Sequence, residues 1–512
     1  MSRFDELQQE YQERIARAIA MGSPRSLARR KEEGILNARE RIDYLLDPGS
    51  FRESGRFAVA AAREARDRTP ADGKVAGFGR VDGRMIGLVS NDFTVMGAGS
   101  SGVNGRKIGY IKKVTRDRGL PLVFLGESTG ARMPDVMGAE GMGGGGGDGA
   151  QYLRTRETPW VSAVLGHCYG SSAWYAGMSD FVVMRKGAVM AVASALLASL
   201  ATAEKVDPQD LGGAKMHTEV SGLVDLAVDT DEEAIDAVKR FLSYLPSHNN
   251  EAPPEQPVPP GSGDAADTIL KHFPEARNRA YDVRKVIDCI VDVGSRFEVK
   301  AQFGRPVVAC LARLNGKPVG IIANNPLHKG GAIDVDSCDK VAGFLVLCDS
   351  FNIPIIFLVD QPGLLVGIDG ERKGAIGKVM NWMNALSLVT MPKISVIMGK
   401  TYGQSVLNMG GGGNAHEYIA WTTAEISFMA PKSGVQIVHG IDEQSDPEAY
   451  QQALNEMTKS TSPYAAAGSF GLQDVIDPRE TRDYLIQALE IHQLRAAHGV
   501  GQHLMRTWPT SF

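Results

Sequence analysis

Asp82-Gly83-Arg84-Met85-Ile86-Gly87-Leu88-Val89-Ser90-Asn91 reads as a tight turn followed by a short apolar strand, and it has a second version. That version is Asn315-Gly316-Lys317-Pro318-Val319-Gly320-Ile321-Ile322-Ala323-Asn324, and the offset is 315 − 82 = 233 residues. The same offset carries Gly97 to Gly330, Lys107 to Lys340, Pro121 to Pro354, Phe124-Leu125 to Phe357-Leu358 and Gly130 to Gly363. Further along it carries Pro159 to Pro392, Gly166 to Gly399, Tyr169-Gly170 to Tyr402-Gly403 and Ser172 to Ser405. Glycines, prolines and strand positions stay in step without a gap, so the chain is a duplicated α/β domain. Within the first copy, apolar runs at 85–90, 122–125 and 161–165 alternate with a helical stretch at 106–118. That alternation is the pattern of βαβ units in a layered domain.

A chain of 512 residues exceeds what one hydrophobic core organises, and two domains are expected. Residues 245–262, Leu-Pro-Ser-His-Asn-Asn-Glu-Ala-Pro-Pro-Glu-Gln-Pro-Val-Pro-Pro-Gly-Ser, read as a semi-rigid, solvated linker. The expected organisation is an N-terminal lobe at 1–250, a Pro-rich linker at 251–264 and a C-terminal lobe at 265–512. Residues 4–45, rich in Glu, Gln, Arg and Ala, read as helical until Asp47-Pro48-Gly49-Ser50 breaks the pattern.

The net charge of −5 gives no support for nucleic acid or an anionic membrane as partner. An anionic ligand would need a local basic patch. Cys168, Cys289, Cys310, Cys338 and Cys348 form no CxxC pair, so a disulfide framework is not expected and a reducing compartment is. The polar, acidic start Met1-Ser-Arg-Phe-Asp-Glu-Leu does not read as a targeting segment, and cytoplasm is the expected location. No apolar stretch approaches the ~20 residues of a membrane span; the run Gly187 to Ala201 reads as core. No His/Cys/Asp cluster has metal-ligand spacing.

The 58 glycines exceed the average share and recur at strand ends. In the first half the Gly turns are Glu127-Ser128-Thr129-Gly130-Ala131-Arg132 and Gly166-His167-Cys168-Tyr169-Gly170-Ser171-Ser172. In the second they are Asp360-Gln361-Pro362-Gly363-Leu364-Leu365 and Gly399-Lys400-Thr401-Tyr402-Gly403-Gln404-Ser405. A strand, a Gly turn and a small-residue helix start expose backbone N–H groups, which suits stabilising an oxyanion. One such turn per half suits a reaction in which two different carbonyls gain charge. Tight backbone geometry alone would also demand these glycines, and the residues leave both readings open. His167 and His217 read as structural residues, and Cys168 as inert core.

Six stretches carry a family resemblance: Leu36-Asn-Ala-Arg-Glu-Arg-Ile-Asp43, Ser90-Asn-Asp-Phe-Thr-Val-Met-Gly97, Glu127-Ser-Thr-Gly-Ala-Arg132, Leu211-Gly-Gly-Ala-Lys-Met-His217, Cys348-Asp-Ser-Phe-Asn-Ile-Pro354 and Trp421-Thr-Thr-Ala-Glu-Ile426. With these the chain resembles the carboxyltransferase subunit of biotin-dependent acyl-CoA carboxylases, of the propionyl-CoA and methylcrotonoyl-CoA type. The resemblance implies an α/β fold of duplicated crotonase-like domains in two lobes. It also implies transfer of a carboxyl group from carboxybiotin to the α- or γ-carbon of an acyl-CoA thioester. The N-terminal half would hold the thioester carbonyl on amides near Gly170, Ser171 and Ser172, with Gly130, Ala131 and Arg132 shaping the pocket. The C-terminal half would hold the biotin urea oxygen near Gly403, Gln404 and Ser405, with Gly363, Leu364 and Tyr402 nearby. The biotin nitrogen itself would take the α-proton, so no protein nucleophile is required. The implied partners are a separate biotin carboxylase/biotin carrier subunit and further copies of the chain, typically in a hexamer.

The turns depart from the family's glycine-rich pattern at Ser171-Ser172 and at Gln404-Ser405. Gln404 adds bulk where biotin would approach. It keeps open decarboxylation of a carboxyacyl-CoA, with or without biotin, in which Tyr169 or His167 would deliver a proton. A non-catalytic CoA-binding paralogue is a third reading. Val406-Leu407 favour a branched or longer acyl group over acetyl. Arg25, Arg29, Arg30, Lys31, Lys107 and Lys112 are candidates for the CoA phosphates, and Gly141 to Gly147 for a mobile flap over the CoA site.

Overall fold

The computed structural model describes residues 2–139, 151–276, 279–493 and 499–509. The Gly141 to Gly147 loop lies outside the described residues. The chain divides into two compact units, Met1–Asn249 and Asn250–Trp508.

The first unit holds strands β1 (Arg52–Glu53), β2 (Lys74–Val81), β3 (Arg84–Asn91), β4 (Leu122–Ser128), β5 (Trp160–Tyr169), β6 (Phe181–Arg185), β7 (Val189–Ala191) and β8 (Leu226–Val228). They form one sheet in the order β1-β2-β3-β4-β5-β6-β8, with β7 pairing β5. The β2–β3 hairpin is antiparallel and the steps from β3 through β8 are parallel. Helices used below are α1 (Pro24–Glu32), α2 (Ala38–Leu45), α3 (Gly102–Arg118), α4 (Ser171–Gly177) and α5 (Asp231–Tyr244).

The second unit repeats this plan with β9 (Phe297–Val299), β10 (Val307–Leu314), β11 (Lys317–Asn324), β12 (Ile355–Gln361), β13 (Lys393–Tyr402), β14 (Glu417–Trp421), β15 (Glu425–Ser427) and β16 (Val475–Ile476). Its order is β16-β14-β13-β12-β11-β10-β9, with β15 pairing β13. Its helices include α6 (Val335–Ser350), α7 (Ala375–Leu388) and α8 (Ser405–Asn408).

The duplication holds atom by atom at several places. Asp82 and Gly83 have φ of 50° and 78°, Asn315 and Gly316 of 52° and 80°, so both hairpins turn through two left-handed residues. The Asp47 carboxylate accepts the Asp82 and Gly83 amides at 3.0 and 2.8 Å, and Asp292 accepts those of Asn315 and Gly316 at 3.1 and 2.7 Å. Gly87 lies opposite Leu122 and Gly320 opposite Ile355. A Cβ on Gly87 would stand 2.3 Å from the Thr115 side chain of α3, and one on Gly320 2.6 Å from Cys348 of α6, so helix and strand meet there only over glycine. Beyond the second Gly turn the register changes: Phe181 pairs with Val161 and Glu417 with Ile394, and 417 − 181 = 236.

Lys107 and Lys340 are also equivalent. Lys107 donates to the carbonyls of Ala71 and Lys74, and Lys340 to those of Phe303 and Val307, at 3.0 and 2.7 Å. Each is buried and joins a helix to the strand beginning below it. Lys107 is therefore a framework residue and not a phosphate ligand. Burial pushes the two ammonium groups down to about 8 and about 7 from 10.5. Between the folded and unfolded values the unfolded chain binds the extra proton, so these groups make stability rise with pH from about 7 upward. Urea unfolding of Lys340→Met is expected to have a flatter dependence between pH 7 and 9 than the parent; an unchanged slope would contradict it.

The Pro-rich linker has a definite seat, and the reading of 187–201 as core is corrected. The Pro-rich stretch is fastened to the second unit: the Gln256 amide donates to Gly316 (3.0 Å), Arg313 to Pro254 (2.8 Å) and Asn352 to Glu251 (2.8 Å). The run Gly187 to Ala201 is only partly core. Its strand residues Val189 and Met190 are buried, but Leu196 and Leu200, on the helix Ala195–Thr202, are 72% and 73% exposed on the isolated chain. Hydrophobicity alone did not separate a core strand from a helix with uncovered leucines.

Candidate active site

Strands β4 and β5 run in register from Leu122/Trp160 to Gly126/Val164, then slip so that Ser128 faces Cys168. The strands stay paired beyond the slip, and the two Gly turns leave from their ends. Gly170 has φ 61° and ψ −131°, a conformation open only to glycine. A Cβ there would stand 3.3 Å from the Gly130 Cα, so the two turns touch through bare backbone. Ser100 fixes the other side: its amide donates to Gly130 O (2.8 Å) and its carbonyl accepts the Arg132 amide (2.9 Å), which brackets Ala131.

Gly170 caps α4, whose first intrahelical bond is Trp174 N–H to Gly170 O at 3.1 Å. The Ser171 and Ser172 amides precede it and have no intrahelical acceptor. Both hydroxyls are held by the framework. Ser171 bonds the Ser100 hydroxyl at 2.7 Å, and Ser172 accepts from the Asn91 amide group at 3.0 Å. Serine here thus preserves the amide-bearing turn.

Ser100, Ala131, Gly170 and Ser171 form one wall of a cleft of about 730 Å³. Arg106 and Arg116 of α3 and the aromatic pair Tyr152–Trp174 line it further. Lys112 also lines it and is engaged with the Gln151 carbonyl.

The structure turns two predicted ligand residues away. Arg132 is buried, bonding Asp72 (2.7 Å) and Asp135, so its guanidinium braces the turn from behind. Arg30 is not a phosphate candidate either. It grips Glu127 through two bonds of 3.0 and 2.8 Å, and Arg41 adds a third at 2.8 Å. Arg41 also donates to Asp231 of α5 at 2.9 Å. Burial pushes the Glu127 pKa up, but Arg41 and Arg30 outweigh it and hold the carboxyl below its ordinary range.

The second unit builds the same turn. Gly403 has φ 69° and Gly363 φ 131°. Ile333 stands where Ser100 does: its amide donates to Gly363 O (3.1 Å) and its carbonyl accepts the Leu365 amide (2.7 Å), bracketing Leu364. The Ser405 hydroxyl donates to Gln361 Oε1 at 2.6 Å, and Gln361 Nε2 donates to Tyr402 O at 3.3 Å. The Gly403 amide donates to Ser427 O at 3.3 Å, so the amides of Gln404 and Ser405 are the ones the helix start leaves over. Tyr402, predicted near a ligand, is buried with its hydroxyl donating to Glu425 at 2.8 Å. Leu364 and Gln404 line a cleft of about 240 Å³ with Ile376 and Met380 of α7. Gln404 is exposed at this cleft.

His217 is a structural residue: Nε2 meets Met190 O at 2.6 Å and Nδ1 the Ser221 hydroxyl at 2.8 Å. His167 is exposed, stacked on Tyr169, with Nδ1 3.3 Å from its hydroxyl. Cys168 is fully buried, and burial pushes its thiol up to about 12. Cys168→Ala is expected to keep most activity, and the native thiol to resist alkylation at pH 8. Loss of turnover in a folded variant would make it a participant.

The carboxyl transferase domain family matches residues 29–500. The chain is 35% identical to the propionyl-CoA carboxylase carboxyltransferase subunit of Haloferax mediterranei, over 96% of each chain. It is 35% identical to the methylmalonyl-CoA carboxyltransferase 12S subunit of Propionibacterium freudenreichii subsp. shermanii, over 92% of this chain and 91% of that one. It is 33% identical to the methylmalonyl-CoA decarboxylase subunit alpha of Propionigenium modestum, over 94% and 95%. The crystal structure of the transcarboxylase 12S hexamer, with methylmalonyl-CoA bound, superposes with TM-score 0.87 over 97% of this chain and 98% of that one, at 32% identity. Two crotonase-like lobes, each with an amide-bearing Gly turn, define a carboxyltransferase enzyme. The chain belongs to the carboxyl transferase family, among subunits of the acyl-CoA carboxylase type.

Proposed function

We propose that this protein moves a carboxyl group between biotin and the α-carbon of a short acyl-CoA, with propionyl-CoA and methylmalonyl-CoA as the reacting pair. The observation that carries this reading is a pair of Gly turns built twice: equivalent hydrogen bonds from Ser100 and Ile333 bracket Ala131 and Leu364, and positive-φ Gly170 and Gly403 stand before the adjoining helix starts. The first unit takes the acyl-CoA. Its thioester oxygen rests on the amides of Ser171 and Ser172, which hold enolate charge while the α-carbon reacts. Basic residues of α3 at the cleft suit the CoA phosphates.

The second unit takes biotin. The apolar cleft beside Leu364 fits its ring system, and Gln404 borders that cleft without closing it. Biotin, when bound, supplies the nitrogen that carries the carboxyl group. The amides of Gln404 and Ser405 hold its urea oxygen, and the apolar Val406-Leu407 that follow suit an acyl group larger than acetyl. Biotin arrives on a separate carrier subunit. The uncovered Leu196, Leu200 and Ile376 suit contacts between copies in a hexamer. Five unpaired cysteines suit a cytoplasmic setting. Among the described residues no helix is long and apolar enough to cross a membrane.

The test is loss of the free carboxylate from malonyl-, methylmalonyl- and methylglutaconyl-CoA with and without free biotin. Fastest biotin-dependent loss from methylmalonyl-CoA is expected. Loss at the same rate without biotin favours direct decarboxylation, for which the exposed His167, 3.3 Å from the hydroxyl of the buried Tyr169, would be the proton source.

A further inference from the structure

Asp360 occupies the position of Glu127 at the offset of 233, 360 − 127. Both stand where the last parallel pairing of the central strands slips, between Val359 and Gln361 in one unit and between Gly126 and Ser128 in the other. A slip leaves backbone amides of the bulged strand without a ladder partner. In the second unit Asp360 fills that gap. Its Oδ1 accepts the Lys400 amide at 2.9 Å and its Oδ2 accepts the Tyr281 hydroxyl at 3.0 Å, while its own amide donates to Asn324 Oδ1 at 3.2 Å. The Lys400 ammonium stands 3.5 Å away. Glycine at 399 is explained by the same contact, because a Cβ there would lie 2.7 Å from the Asp360 carboxyl carbon; at Gly166 it would lie 2.4 Å from Glu127 Oε1.

Lys400 is three residues before Gly403, and Gln361, next to Asp360, holds the other side of the same turn through Ser405 and Tyr402 O. The dipeptide Asp360-Gln361 therefore clamps the Gly403 turn at both ends. We propose that Asp360 is the positioning residue of the second turn: through the Lys400 amide it sets where the Gln404 and Ser405 amides point. Glu127 has the corresponding place in the first unit, braced by Arg30 and Arg41. The carboxylate touches no reacting atom; it acts through the strand end. This rests on the reading of the Gly403 turn as the biotin side.

The test uses the full-length protein in biotin-dependent loss of carboxylate from methylmalonyl-CoA, with kcat normalised to folded protein. For Asp360→Ala a fall in kcat of roughly 30-fold or more is expected, with a raised KM for free biotin and an acyl-CoA KM within about two-fold. Asp360→Asn keeps an oxygen for the Lys400 amide and is expected to recover kcat to within about five-fold of the parent. Should Asp360→Ala not fold, Gly399→Ala reports instead, since its added carbon displaces the carboxylate; the same pattern is expected. Folded variants with parental kcat and biotin KM would overturn the positioning role. So would Asp360→Asn as impaired as Asp360→Ala. A fall in kcat accompanied by a raised acyl-CoA KM and a parental biotin KM would uphold the positioning role and take the Gly403 turn off the biotin side.

Discussion

Gly170→Val is expected to lower kcat by on the order of 10²–10³, a loss of about 3–4 kcal/mol of oxyanion stabilisation. The reason is local. Gly170 sits at φ 61° and ψ −131°, which a β-branched residue does not adopt, and any Cβ approaches the Gly130 Cα to 3.3 Å. The turn must open, and the Ser171 and Ser172 amides then no longer converge. The substitution also carries a strain cost of about 1–3 kcal/mol, so activity is read per folded molecule. Steady-state kinetics on methylmalonyl-CoA with free biotin provide the check. A folded variant at parental kcat would mean the first oxyanion site lies elsewhere.

Arg41→Met is expected to destabilise the first unit by about 3–5 kcal/mol, the usual consequence of removing one partner from a buried ion pair. Arg41 is fully buried between Glu127 and Asp231, so the change leaves Glu127 with Arg30 and Asp231 with Arg185, each a buried carboxylate short of one cation. Chemical denaturation at neutral pH measures the effect. Adding Glu127→Gln to Arg41→Met is expected to recover part of the loss, since one of the two carboxylates deprived of Arg41 is then neutral. The pH sign follows from Glu127, whose folded pKa lies below the unfolded 4.5. Its contribution is complete above that value and is lost as pH falls through the folded one. The gap between parent and variant should therefore narrow in acid. A destabilisation under about 1 kcal/mol would reduce the network to surface-like pairing.

The fold could be read from the sequence because duplication leaves a fixed offset, and the residues that keep it are those that geometry restricts. Gly87 and Gly320 persist because a helix presses on the strand, and Asp82-Gly83 and Asn315-Gly316 because the hairpin needs two left-handed residues. The paired Gly turns could be located for the same reason. What could not be read was which charged residue faces a ligand. Arg132 follows a Gly turn and Arg30 lies in a basic cluster, yet both are spent on buried carboxylates. Arg30 and Arg41 reach Glu127 across 97 and 86 residues of sequence, a pairing that no local pattern encodes. Asp360 carried one available signal, an acidic residue at the position of Glu127, but its role depends on the strand slip beneath it.

Transfer of label from carboxyl-labelled methylmalonyl-CoA to free biotin tests the central claim most directly. The two-turn account predicts labelled carboxybiotin formed in step with propionyl-CoA, and no label released when biotin is omitted. Propionyl-CoA formed at the same rate without biotin, with all label appearing as bicarbonate, would contradict it.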